Sequence, residues 1–150
     1  KEQFARAILG MEDTLYRITA AQLPQRADRE DAVQETLRKA WEKRNTLREE
    51  RFFRTLLTRI LINTCYDSQR KRSRFVSIEA IPEPEVSPPE PWLQMALQKL
   101  PEKLRLPLVL CYSEGMTYAE AAQALHISET ALRGRIHRGK QQLRKELDAQ

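Results

Sequence analysis

The chain has 150 residues, enough for one ordinary domain or two small ones, and its apolar share of 41% is sufficient for a core. A formal charge of +5 favours polyanionic partners, without deciding the fold. Two cysteines and two histidines without metal-ligand spacing exclude a zinc site, and no apolar run approaches the ~18 residues of a membrane span.

In chain order, Phe4, Ile8, Met11, Leu15 and Ile18 recur at helical spacing and predict a first helix with one buried stripe. Asp28 is the expected N-cap of a second helix running to about Arg44, with Val33, Leu37, Ala40 and Trp41 inward. A third long helix is expected from about Glu50 to Arg72, burying Phe53, Leu56, Leu57, Ile60, Leu61 and Thr64. Its end reads NTCYDSQRKRSR. Asn63, Asp67 and Arg70 follow i, i+4, i+7 and share a face. Arg70, Lys71, Arg72 and Arg74 supply cations for phosphates, and Phe52, Phe53, Tyr66 and Phe75 lie near in sequence. Basic groups with stackable rings suit single-stranded DNA; a solvated charged terminus with a structural Asn is the plainer alternative.

Residues 76–91 read VSIEAIPEPEVSPPEP, with five prolines, four glutamates and no Lys or Arg. Proline this dense supports neither helix nor central strand, so an extended, semi-stiff linker is expected. Without its four negative charges, the flanking parts together carry +9. An acidic extended chain between basic domains suits a positively lined nucleic-acid channel; a charge-solubilised tether is the alternative. Domains are thus expected at 1–75 and 92–150.

After the linker, 92–100 and 103–112 read as short helices, with Pro101 at a helix start and Pro107 shifting or kinking the second. The segment MTYAEAAQALHISETALRGRIHRGKQQLRKEL carries the most information. Thr117 and Glu120 form a capping box, and Tyr118, Ala121, Ala122 and Leu125 an apolar stripe with room for a close helix. His126, Ile127 and Ser128 make a turn, with Ser128 as N-cap of a helix that buries Leu132, Ile136, Leu143 and Leu147. Its other faces carry Arg133, Arg135, Arg138, Lys140, Arg144 and Lys145. This is a helix-turn-helix layout, whose second helix enters the major groove, where Arg matches the two acceptors of guanine.

Cys65 and Cys111 are expected as buried free thiols on apolar helix faces. Asp28, Asp31 and Glu35 lie three to four residues apart, yet no His, no Gly-rich loop and no motif accompanies them, so neither catalysis nor a cofactor is expected. The first residue is Lys1 rather than Met, which leaves room for a short missing leader.

Three stretches, DREDAVQETLRKAW, FFRTLLTRILINTCYDSQRKR and LPEKLRLPLVLCYSEGMTYAEAAQALHISETALRGRIHRGKQQLRKEL, resemble bacterial extracytoplasmic-function (ECF) sigma factors of the sigma-70 family. The resemblance spans nearly the whole chain and implies an all-α protein of two small helical domains, sigma region 2 and sigma region 4. It implies that Asp31, Gln34 and Glu35 dock core RNA polymerase. It implies that Asn63 reads a flipped base of the −10 element, with Asp67 on the same face and Arg70 and Lys71 on the backbone. It places the −35 readers in the recognition helix at Arg133, Gly134, Arg135, His137 and Arg138. An anti-sigma partner and a cytoplasmic location without membrane insertion follow as family expectations. The chain departs from the family at Leu56-Leu57, where Trp-Leu is frequent, at Gly134, where a small polar residue is common, and at His126, where a turn glycine is frequent. The competing reading is a helix-turn-helix regulator that acts without joining polymerase, its N-terminal half serving as sensor or dimerisation domain.

Overall fold

The computed structural model describes residues 2–46, 52–74 and 91–149. Most of these residues are helical, and no strand occurs among them. The chain divides into two compact units, Lys1–Pro82 and Glu83–Gln150. Of the linker expected at 76–91, residues 76–90 lie outside the described residues, as does Phe75, and Pro91 instead begins a helix, a position that needs no backbone N–H.

The first unit packs three helices against one another: α1 (Glu2–Gln22), α2 (Arg26–Glu42) and α3 (Phe53–Arg74). Leu15, Ile18, Val33, Leu57, Leu61 and Ile62 are fully buried between them. Three buried threonines satisfy their hydroxyls within their own helices, Thr19 on the Tyr16 carbonyl (2.8 Å), Thr36 on Ala32 (2.7 Å) and Thr64 on Ile60 (2.8 Å). A polar side chain in the core is inexpensive when bonded in this way.

Helix α2 differs from expectation at both ends. Its N-cap is Gln25, without a side-chain cap bond, and Asp28 lies in the first turn, where a carboxylate complements the helix dipole. The earlier start reflects a side-chain clamp: Arg29 donates to the carbonyls of Leu23 (2.7 Å) and Pro24 (3.0 Å) and so fastens the α1–α2 turn. The helix stops at Glu42, and a 3₁₀ turn (Arg44–Thr46) follows. Leu56 and Leu37 are only half-buried. Trp41 keeps 37% of its surface exposed, its ring edge-on to Phe4 with centroids 5.2 Å apart and the Arg44 guanidinium 3.9 Å above it.

The second unit is organised around its last helix. Helices α4 (Pro91–Gln98), α5 (Glu102–Leu108) and α6 (Tyr118–Leu125) all pack on α7 (Glu129–Asp148). Pro107 does not break α5. The helix runs through it to Leu108 and then widens into a π-turn (Val109–Ser113), closed by Glu114 N–H on the Val109 carbonyl at 3.0 Å. Proline offers no N–H to the carbonyl four residues back, and wider pairing beyond it keeps the chain helical.

The α6–α7 turn explains a sequence departure. His126 has φ 59° and ψ 46°, the left-handed conformation that favours glycine, while Ile127 N–H closes on the Ala122 carbonyl at 3.0 Å. A side chain there costs about 1–2 kcal/mol. Glycine loses some of that gain through its freer unfolded chain, so His126→Gly should stabilise this unit by about 0.5–1 kcal/mol. Thermal denaturation reads the difference. A lowered midpoint would mean that the imidazole contributes more than the strained backbone costs.

Candidate nucleic-acid interface

The recognition end of α7 is built from local chemistry outward. Thr117 Oγ1 accepts from Glu120 N–H (3.1 Å) and the Glu120 carboxylate accepts from Thr117 N–H (3.0 Å), so the capping box that starts α6 is complete. Ser128 Oγ accepts from Ala131 N–H at 3.1 Å and starts α7. Ala121, Ala122 and Ala124 are buried, which lets α6 lie close to its neighbours. On α7, Leu132, Ile136 and Gly139 are buried, while Leu143 and Leu147 are only half-buried.

That burial pattern sets the outward face. Arg133, His137 and Arg138 are exposed; Gly134 and Arg135 are half-buried. The structure therefore places all five candidate −35 residues on the N-terminal half of one helix, but in different environments. Arg133 lies 4.0 Å from the Glu129 carboxylate and 5.9 Å above the Tyr118 ring. Arg138 lies back along the helix with its guanidinium over Gly134. Farther along, Lys140 stands 4.7 Å over the Tyr112 ring. The hydrogen bond between these two groups lowers the Tyr112 hydroxyl below its ordinary value and raises the Lys140 ammonium.

In the first unit Asn63, Asp67, Arg70 and Lys71 are all exposed on α3, and Arg70 stands 3.8 Å from the Asp67 carboxylate. The neighbours of Asn63 hold it in place: Ile62, Thr64 and Cys65 are buried. Of the rings near it in sequence, Phe52 and Phe53 are not assembled there. Phe53 is buried against Phe4, with centroids 5.8 Å apart, and Phe52 is exposed at the opposite end of α3 from Arg70. Helix rise separates those ends by roughly 27 Å, which nearness in sequence conceals. Tyr66 is half-buried.

Sequence reasoning missed Lys39. Its Nζ reaches from α2 to donate to Thr64 Oγ1 at 3.1 Å, next in sequence to Asn63. No spacing rule reports a pair 25 residues apart; only helix packing does.

Asp31 and Gln34 are exposed on α2, and Glu35 is half-buried. Arg38 Nε donates to Glu35 at 3.1 Å and its other nitrogens reach Glu35 and Glu42. The Arg38 hydrogen bond holds the Glu35 carboxyl below the usual carboxylate range, with the charges of Arg38, Lys39 and Lys71 adding to it. Glu35 is thus partly committed to its own helix, and lies within electrostatic reach of Lys71 on α3. Among the described residues no three His, Cys, Asp or Glu side chains gather into a metal-holding group. Cys65 is buried and free; Cys111 is free but only half-buried, its thiol pushed up by burial.

Comparison with known proteins agrees with this geometry in both units. Residues 10–75 match the family model for Sigma-70 region 2, and residues 91–143 the one for Sigma-70, region 4. The ECF RNA polymerase sigma factor SigE of Mycolicibacterium smegmatis is 35% identical over 147 residues, covering 88% of this chain, which spans 56% of that protein's length. The ECF RNA polymerase sigma factor SigW of Bacillus subtilis is 28% identical over 168 residues, covering 98% of this chain and 90% of its own. Among solved structures, the sigma factor RpoE of Bartonella quintana, in complex with the anti-sigma factor NepR, superposes with a TM-score of 0.87 at 24% identity, covering 99% of this chain and 98% of that one. CnrH, in complex with the cytosolic domain of CnrY, gives a TM-score of 0.74 at 25% identity, covering 99% and 90%. A region 2 match over the N-terminal half removes the reading of that half as a sensor or dimerisation domain. With both family regions present in order, the chain belongs to the ECF group of the sigma-70 family and is an RNA polymerase sigma factor.

Proposed function

We propose that the two units divide promoter recognition. Region 2, near residues 1–75, docks core RNA polymerase through the outward face of α2 and takes one opened −10 strand along Asn63, Lys39 and the basic end of α3. Region 4, near 92–150, reads the duplex −35 element with α7. The observation that carries this reading is the exposure of Arg133, His137 and Arg138 on a helix whose opposite side is fixed by Leu132, Ile136 and Gly139. A helix so presented fits the major groove, with its N-terminal residues at base edges. The protein contributes binding energy and needs no cofactor. Its place is the cytoplasm, with polymerase and promoter DNA, and no described helix is long and apolar enough to cross a membrane. Anti-sigma control is supported by the solved complex of the related RpoE with NepR.

Run-off transcription with core polymerase, with and without this chain, tests the reading on a library of promoter-length duplexes. Initiation confined to a subset of templates, and only with the chain present, is the expected result. Tight duplex binding by the chain alone, with no gain in initiation, would overturn it.

The α2 face carries its own prediction. Asp31 is exposed, so Asp31→Arg should leave the fold intact and weaken binding to core polymerase by about tenfold through charge reversal. Glu35→Ala should also disturb Arg38, and so mix a docking effect with a local one. Pull-down titration of core polymerase measures both. Unchanged binding by Asp31→Arg excludes this face.

A further inference from the structure

We propose that Gly134 is a specificity-determining position that acts through its missing side chain. The glycine forms a notch that seats the Arg138 guanidinium one helical turn nearer the start of the recognition helix. This rests on the reading of α7 as the −35 helix and deepens it.

A Cβ placed on Gly134 would meet Arg138 Nη1 at 3.3 Å, with Cζ and Nη2 both at 3.9 Å. Three atoms of one planar group within that range mean that the guanidinium rests over the glycine backbone. The lean follows helix stereochemistry, in which long side chains point back toward the N-terminus and over the residue four positions earlier. The glycine lets the guanidinium sit this close: at 3.3 Å a Cβ would make it give by a few tenths of an ångström, and a larger side chain would occupy its space. No hydrogen bond or ion pair with a described residue fixes Arg138, so the notch is its only seat among the described residues. Arg133, by contrast, has the Glu129 carboxylate at 4.0 Å and the Tyr118 ring at 5.9 Å.

The consequence is positional. Four residues of helix correspond to about 6 Å of rise, so a seated guanidinium lies level with residue 134 rather than with its own Cα. The N-terminal part of a recognition helix is the part that meets base edges. The notch therefore delivers the fork of Arg138 to a base that the residue would otherwise approach from farther along the groove. A β-carbon on residue 134 shifts the fork outward from this seat by a few tenths of an ångström.

The test compares Gly134→Ala, Arg138→Ala and the double variant in the full-length protein. Each is assembled with core polymerase and assayed by transcription of a promoter library randomised across the −35 element. Folding stability is measured in parallel. Alanine is a better helix former than glycine, so Gly134→Ala should melt at a higher temperature than the parent. It should nonetheless lose at least about fivefold of its preference at one −35 position, the position that Arg138→Ala flattens. The double variant should lose no more than Arg138→Ala alone. If Gly134→Ala keeps the parental preference while Arg138→Ala flattens it, the notch is wrong and base reading by Arg138 stands. If neither variant changes any preference, Arg138 does not read a base and the notch falls with that reading. A loss in the double variant exceeding that of Arg138→Ala would also overturn the notch, since Gly134 would then act through another group.

Discussion

Asn63→Ala should lower open-complex formation on a duplex promoter by about 10–100-fold, the loss of one good amide-to-base contact. Asn63 is exposed on a helix held by buried Ile62, Thr64 and Cys65, so the substitution removes a reading group without opening the core. An amide presents donors and an acceptor together, and can pair with a base edge that becomes accessible only after unstacking. Unstacking costs a few kcal/mol, so hydrogen bonds open only to the unstacked base couple recognition to melting. On this reading Lys39, which donates to Thr64, and the exposed Arg70 and Lys71 would contact the backbone of that strand. Two templates separate the linked effects. On a pre-melted promoter the variant should recover most of its rate, because the unstacking cost is already met. Its lost preference at one −10 position should not return. A folded variant that binds polymerase normally and keeps its parental base preference would remove Asn63 from base reading.

The other large effect is on stability and lies at Gly139. This glycine is buried, and a Cβ there would meet Leu108 Cδ1 at 3.1 Å and the Leu104 carbonyl oxygen at 3.2 Å. One of those neighbours is a flexible methyl, the other is backbone. Gly139→Ala should be nearly neutral, its gain of about 1 kcal/mol in helix propensity offset by crowding. Gly139→Leu cannot be absorbed by a methyl rotation and must push α5 from α7. Overpacking of this kind costs about 3 kcal/mol, a large part of the stability of so small a unit. Urea denaturation followed by circular dichroism should show an early-melting transition in Gly139→Leu alone. Equal midpoints for Gly139→Leu and the parent would show that α5 and α7 are not as closely packed as these distances state. Loss of −35 recognition should accompany the melting, because α4, α5 and α6 all pack on α7.

Gly139 and Gly134 show where sequence reasoning ends. Both lie in one helix and look alike in the run RGRIHRGK. One is buried against α5 and the other lies beneath an arginine of its own helix. The second contact follows from i, i+4 spacing, and could be anticipated. The first requires knowing which helix lies opposite.

The same division runs through the chain. Helical periodicity, the capping box at Thr117 and Glu120 and the N-cap at Ser128 were legible because they rest on contacts three or four residues apart, which local geometry dictates. The exposure of Asp67 and Lys71 on α3 was not, since each lies seven residues after a buried residue, Ile60 and Thr64, on the line of the buried stripe. The start of α2 at Arg26 was not legible, since Arg29 reaches back to the carbonyls of an earlier turn. The bond from Lys39 to Thr64, the withdrawal of Phe53 into the core and the close approach at Gly139 were decided by tertiary packing. Packing joins residues whose separation in sequence carries no period, so spacing alone could specify the helices but not which side chains meet between them.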